Sequence, residues 1–293
     1  MNALFSLAGI PQRIDLIKTV SCGNDFLQLD LESLSEKRRS RLGQFAHAIC
    51  DRHNGMGADG LVARCSISSG TFGFQVFNRD GREAELSGNG MAGCAAVVFA
   101  LEPGLNSITL QTAVGPRRIA CKQRRFPRVD MSVEIGPADF ANYRQFPFLD
   151  KRAGGYASDG IDFFPVSVGN PHAVCLVPSG ISEKEMVELG QHLQSSTRFP
   201  EGINVEVVRP GNTPGHWHAR FIERGVGITQ SSSTGCAAIF AVLHKQRLAA
   251  QKTVIFSAGA SGIHVGGNLD GITVENTTQI VYKGEYAPLS QEN

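Results

Sequence analysis

The chain has 293 residues, enough for one large or two medium domains. Its hydrophobic content of 42% and charged content of 19% are ordinary for a globular enzyme. A net charge of +1 gives no electrostatic reason to expect nucleic acid or a lipid surface as partner, and no run of about 18 apolar residues predicts a membrane span.

The first residues, MNALFSLAGIPQRIDLI, have no basic stretch ahead of their apolar residues, so no secretory leader is expected. Residues 14–30 read as two short strands around Ser21-Cys22-Gly23-Asn24. Residues 35–52 have a helical pattern, with Leu42, Phe45, Ala46 and Ile49 on one face. A glycine-dense loop follows at 54–60. Phe72 to Asn78 alternates like a strand and Asp80-Gly81 signals a turn. Ser87-Gly88-Asn89-Gly90 then opens an Ala/Val-rich helical run, and strands are predicted near 107–113, 117–123 and 128–135.

The plan then repeats. Val166-Ser167-Val168 leads into Gly169-Asn170-Pro171-His172 and a strand at 173–177. Ser182 caps a helix to about Leu193, with Glu183 and Glu185 in its first turn, where the helix dipole favours acids. Strands follow near 203–208 and 216–223. Ser232-Ser233-Thr234-Gly235 opens a second apolar helix to about Leu248, and strands at 253–257, 262–265, 272–275 and 279–282 complete the chain.

The two Ser/Gly motifs lie about half a chain apart. Each puts small polar residues and glycine before an apolar helical run, which aims unpaired helix N-terminal amides at an anion. The repeat predicts an α+β protein of two pseudo-symmetric lobes, each a strand shell around a central helix, with one anionic ligand between them. The lobes fall at residues 1–140 and 141–293, joined within 136–165, and the final strand can return to the first lobe.

Seven cysteines, an odd number without a CxxC pair, argue against a disulfide framework or zinc site and for a reducing cytoplasm. His216-Trp217-His218 puts two imidazoles on one strand face but lacks a third metal ligand, so an exposed strand edge is the expectation. The basic run Lys122 to Arg125 reads as a solvated strand end. Asn24, Asn78, Asn89, Asn170 and Asn204 recur at turns, a placement ordinary for asparagine, yet several sit beside the glycine motifs.

The segments GNDF (23–26), CDRHNGMGADG (50–60), FNRDG (77–81), AELSGNG (84–90), VGNPHAV (168–174), RFPEGINVEVV (198–208), ERGVGITQ (223–230) and STG (233–235) together resemble the diaminopimelate epimerase family. They cover essentially the whole chain in family order. The resemblance implies a cofactor-free, metal-free epimerase that interconverts LL- and meso-diaminopimelate in lysine and peptidoglycan precursor synthesis. It also implies a small amino-acid substrate as the partner, with a homodimer open to it.

The family moves an α-proton between two faces with a thiolate and a thiol, each opening one Gly-rich motif. Here those positions are Ser87 and Ser232. A thiol of pKa about 8.5 is lowered at a helix N-terminus, whereas a serine alkoxide is essentially absent near neutral pH. The resemblance offers His172 and Glu223 as assisting bases, which is how a hydroxyl is activated. It gives substrate contacts to Asn24, Gly88, Asn89, Ser233 and Thr234 around the motifs. The distal amino-acid end falls to Asn78, Asn170, Asn204 and Arg224, with Glu223 beside them. Ser233 stands where the family has glycine, and its Cβ is expected to crowd the carboxylate-binding amide. Three functions stay open: an epimerase working through serines, a different proton-transfer isomerase or dehydratase, and a silent amino-acid-binding paralogue. A Cys→Ser engineered form is a fourth, against which Ser233 and Ala92-Gly93 argue. Cys236, one turn into the second helix, is too deep to stand in for a missing thiol.

Overall fold

The structure is a computed structural model describing residues 13–34, 36–140, 150–152, 155–158 and 161–286. The N-terminal stretch read for a leader and much of the 136–165 link lie outside these residues.

The first pass begins with β1 (Ile14–Ser21), which turns through Cys22 and Gly23, both at positive φ, into antiparallel β2 (Asn24–Asp30). Helices α1 (Glu36–Arg39) and α2 (Leu42–Ile49) lead to β3 (Gly60–Ser68), parallel to β2. Antiparallel β4 (Thr71–Asn78) and short β5 (Glu83–Ala84) precede α3 (Gly88–Leu101). Then come β6 (Ser107–Thr112), β7 (Gly115–Arg125) and β8 (Arg128–Gly136). Short β9 (Asp150–Arg152) and β10 (Gly155–Ser158) pair with each other.

The second pass has the same grammar. Strand β11 (Ile161–Ser167) is antiparallel to β12 (Pro171–Leu176). Helix α4 (Glu183–Gln194) leads to β13 (Asn204–Pro210), parallel to β12, and then to antiparallel β14 (His216–Glu223) and β15 (Gly227–Thr229). Helix α5 (Ser233–Lys245) follows, then β16 (Lys252–Ser257), β17 (Ala260–Asn268) and β18 (Gly271–Tyr286). The parallel pairs β4 with β6 and β14 with β16 complete the correspondence.

Both central helices are buried nearly throughout, α3 from Gly88 to Phe99 and α5 from Ser233 to Leu243. A helix apolar on every side has no face for water, so strands surround it. Small residues in the two helices let this packing close, and both helices contribute to one continuous apolar core. Phe99 and Phe240 anchor it; truncating either to alanine costs about 3–5 kcal/mol. The outer helices α2 and α4 are amphipathic and cover separate apolar clusters. Ser182 caps α4, as the sequence predicts, and Glu185 turns that cap into a reciprocal capping box.

Three elements differ from expectation. Strand β3 follows directly on the glycine loop and was not foreseen. The 35–52 helix is broken at Ser40-Arg41. The last two expected strands are one long strand, β18, which pairs with β17, β8 and β1 along its length. Its middle, Asn276-Thr277-Thr278, falls between the two expected strands, but Asn276 and Thr278 are buried and bonded within the protein.

Candidate active site

The internal repeat brings the two helix starts together. A Cβ added to Gly88 would lie 2.4 Å from Ser233 Cβ, so only glycine lets the two first turns approach this closely. Ser87 caps α3 by accepting from the Gly90 amide at 3.1 Å, and Ser232 caps α5 by accepting from the Gly235 amide at 3.1 Å. These two bonds match the N-cap chemistry of small hydroxyl residues.

A polar bridge joins the helices. Ser233 Oγ donates to Asn89 Oδ1 at 2.5 Å, and Asn276 Nδ2 lies 3.1 Å from Ser233 Oγ and 3.3 Å from Asn89 Oδ1. Thr278 donates to Asn276, and Asn89 Nδ2 reaches the Ser231 carbonyl. The Ser233 side chain is thus drawn into the interhelical bridge, where its hydroxyl satisfies buried partners.

Between the helix starts lies a small cavity of about 40 Å³, partly open to solvent. That space suits water. The motif residues Ser87, Gly88, Asn89, Ser232, Ser233 and Thr234 line one side. Asn24, Asn78, Asn170, Asn204, Glu223 and Arg224 line the rest. His172 is absent from this wall.

Glu223 ends β14 against the Ser232 hydroxyl. Burial pushes its carboxyl up to about 7, partly offset by the hydrogen bond with Ser232, and the neighbouring Glu206 charge adds to the rise. A carboxyl poised near neutrality is suited to take and return protons.

His172 is fully buried behind this wall. Its Nδ1 is 2.7 Å from Glu206 Oε1 and its Nε2 is 2.9 Å from Asn170 Oδ1. Both nitrogens are therefore occupied, and neither is bonded to a motif serine. Asn204 donates to the Pro171 carbonyl and accepts from the Arg224 amide, tying the Gly-Asn-Pro turn to the loop after β14. Arg224 donates to Glu85 Oε2 at 2.5 Å, across the cleft.

Strand register explains why the two sides differ. Phe26 pairs with Gly60 and Gly60 with Asn78 in the first half; His172 pairs with Asn204 in the second, one step before Val205 pairs with Ile222. Superposing these ladders puts Phe26 where the second half has His172, and Asn78 where it has Glu223. Asn24 corresponds to Asn170. Both titratable groups therefore belong to the second half alone.

Several site residues had no foreseen role. Asp59 lines the cavity and belongs to a cluster with Asp25, Arg52 and Lys18. Burial works to raise Asp25, but bonds from Arg52 and Lys18 outweigh it and hold the carboxyl near 2; burial, with repulsion from Asp25, raises Asp59. These residues lie in the matched segments GNDF and CDRHNGMGADG, which was the available signal. Glu85 and Glu206 lie in the matched segments AELSGNG and RFPEGINVEVV and carried the same signal; Asn276 lies outside them, and its partners Ser233 and Asn89 are 43 and 187 residues away.

Outside the cleft, Lys122 and Arg125 pair with Glu275 and Asp130 on the strand surface. His216 and His218 flank the Phe256 ring, and among the described residues no group of three potential ligands is placed to hold a metal. Among the described residues no helix is long and apolar enough to cross a membrane.

Comparison with known proteins fits this architecture. A hydroxyproline epimerase from Agrobacterium vitis, solved with trans-4-hydroxy-L-proline, superposes with a TM-score of 0.68 at 13% identity, covering 94% of this chain and 93% of that one. A phenazine biosynthesis protein of the PhzF family from Bacillus anthracis gives 0.61 at 12% identity, covering 94% and 99%. These two show the fold. The diaminopimelate epimerase of Elusimicrobium minutum is 32% identical over 237 residues, covering 78% of this chain and 83% of its own. That of Geobacillus kaustophilus is 31% identical over 280 residues, covering 90% and 93%. A family model for diaminopimelate epimerase matches residues 16–141 and 164–286.

Fold and sequence together define a member of the cofactor-independent isomerase and racemase superfamily, which acts on small amino and organic acids. Within that superfamily, the chain belongs to the diaminopimelate epimerase family.

Proposed function

We propose that the protein moves the α-proton of diaminopimelate or a close diamino diacid and interconverts its stereoisomers. The observation that carries this reading is Glu223, near pKa 7, bonded to Ser232 beneath two converging helix starts. In this scheme the α-carboxylate sits on the amides of the two first turns, which stabilise the charge that develops when the proton leaves. Glu223 takes that proton through the Ser232 hydroxyl, the Ser87 hydroxyl passes a solvent proton to the opposite face of the α-carbon and is left neutral, and Glu223 then releases its proton to solvent. Asn78, Asn170, Asn204 and Arg224 supply polar contacts for a second amino-acid end, more than a small monocarboxylate needs. A guanidinium fits a carboxylate in charge and shape. Serine at both motif starts, where the family uses cysteine, makes the enzyme slow relative to a thiol pair.

The one-sidedness of the site favours a second reading. Glu223 serves Ser232, while its counterpart beside the first motif is Asn78, whose amide is neither acid nor base near neutral pH, and the cavity-lining carboxyl of the first half, Asp59, is held by Arg52. Proton removal and return on one face would then give isomerisation or exchange without inversion. Incubation with LL-diaminopimelate in D2O, followed by NMR, separates the readings. Epimerisation gives deuterated meso product. One-sided chemistry gives α-deuteration with the LL configuration retained. Binding without any exchange would overturn both and leave a silent binding protein.

A further inference from the structure

We propose that Glu206 is a positioning residue: through His172 it sets the Asn170 amide so that Asn170 Nδ2 faces the cleft as a donor to a ligand carboxylate. The inference rests on the functional reading above only in taking the ligand to carry a carboxylate there.

Strand geometry builds the relay. Asn204 and Glu206 are two residues apart on β13 and so share a face. His172 on β12 is directly opposite Asn204 in the parallel ladder. The ring spans from Glu206 Oε1 at 2.7 Å to Asn170 Oδ1 at 2.9 Å, and the His172 and Glu206 side chains have no exposed surface. Glu206 is pressed against the first turn of α5: its Oε1 lies 2.8 Å from where a Gly235 Cβ would stand. Its Oε2 is buried without a partner. A carboxylate kept in such a place at a desolvation cost calls for a nearby cation.

Both atoms facing the ring are acceptors. A neutral imidazole has one N–H and satisfies only one of them; an imidazolium satisfies both. The Glu206 carboxylate thus accounts for a ring that donates at each end. Asn170 Oδ1 is consumed by Nε2, leaving Nδ2 as the end of the amide that faces the cavity. With glutamine at 206 the ring has one N–H. Kept on Nε2 by a glutamine amide that donates to Nδ1, it leaves Asn170 in place; taken to Nδ1 by the glutamine oxygen, it makes Nε2 an acceptor, so that the Asn170 amide turns. Its oxygen would then face the ligand carboxylate and repel it. The first half has no such relay, since Phe26 occupies the position of His172.

The test uses Glu206→Gln in the intact protein, with nitrogen-15 NMR of the His172 ring and calorimetric titration of LL-diaminopimelate. The wild-type ring is expected to show two N–H signals, one for the bond to Glu206 and one for the bond to Asn170. Glu206→Gln is expected to show one N–H and a tenfold or greater rise in Kd, with a cooperative thermal transition retained. A wild-type ring with a single N–H overturns the proposal, and this measurement does not depend on the variant folding. A Glu206→Gln ring that keeps its single proton on Nε2 overturns it too, as does an unchanged Kd in a variant whose ring proton sits on Nδ1. If wild type binds no LL-diaminopimelate, the functional reading fails, while the ring state and the Asn170 side-chain amide signals still decide the relay.

Discussion

Arg224, just after β14, and Glu85, just before the first motif, meet across the cleft with Nη2 and Oε2 2.5 Å apart. The guanidinium assigned to a ligand carboxylate already holds a carboxylate of the protein. Both side chains are partly exposed, so the pair contributes little to stability, about 0–1 kcal/mol. A ligand can displace Glu85 at small cost. Glu85→Gln should leave the melting temperature nearly unchanged and lower the Kd for LL-diaminopimelate several-fold. Arg224→Ala should raise that Kd by about tenfold or more, as expected for losing a charged hydrogen bond of about 1.5–3 kcal/mol. Calorimetry on both variants checks the pair; an Arg224→Ala protein that binds like wild type would remove this residue from the site.

Glu223 makes stability and activity move in opposite directions with pH. Its folded pKa of about 7 is above the ordinary value of 4.5. The folded state therefore holds a proton between these values that the unfolded state has lost. The associated stability is present below about pH 4.5 and is lost as pH rises through about 7, amounting to at most about 3 kcal/mol. Proton abstraction needs the ionised form, so exchange of the substrate α-proton should rise through pH 7 and level off above it. Glu223→Gln should be more stable than wild type at pH 8 by denaturant titration and should lose exchange by about a hundredfold or more. A flat pH–rate profile across pH 6 to 8 would show that Glu223 is not the proton carrier.

The thiols offer no substitute. Burial raises Cys22 to about 11 and Cys50 and Cys94 to about 12, and burial also raises Cys175 and Cys236. Thiolate is the reactive form, so iodoacetamide near neutral pH should leave activity intact. Fast inactivation with protection by substrate would implicate Cys236, just inside α5, and would overturn the serine assignment.

Restoring sulfur at the two helix starts should increase catalysis. Ser87→Cys with Ser232→Cys keeps both positions beside the Gly90 and Gly235 amides, where a thiolate is stabilised. Exchange of the α-proton should rise by orders of magnitude in this double variant. A wild type already as fast would show that serine is the evolved catalyst.

Ser233→Gly should not open the site. Its hydroxyl serves Asn89 and Asn276, so removing it leaves buried polar atoms short of a partner. Destabilisation of about 1–3 kcal/mol is expected. Thermal unfolding beside ligand titration checks this, and a variant with wild-type stability and tighter binding would restore the crowding expectation.

Much of the fold was legible because it is written in local patterns. The apolar runs after Ser87 and Ser232 can be buried only as central helices, and serine with glycine at their starts marks caps without any tertiary information. The matched motifs also named the residues that line the cleft. What local pattern could not show is which side chain meets which. Thr278 and Asn276 fall between two expected strands because their buried partners, Ser21, Ser233 and Asn89, come from elsewhere in the chain. His172 read as a base near a serine, yet parallel pairing of β12 with β13 delivers Glu206 to one nitrogen and the turn delivers Asn170 to the other. The register of the two halves likewise decides that the first-half counterpart of Glu223 is Asn78 rather than a second acid. Sequence determines these residue types and their order; only the packed strands determine the distances of 2.7 to 2.9 Å over which hydrogen bonds and charge act.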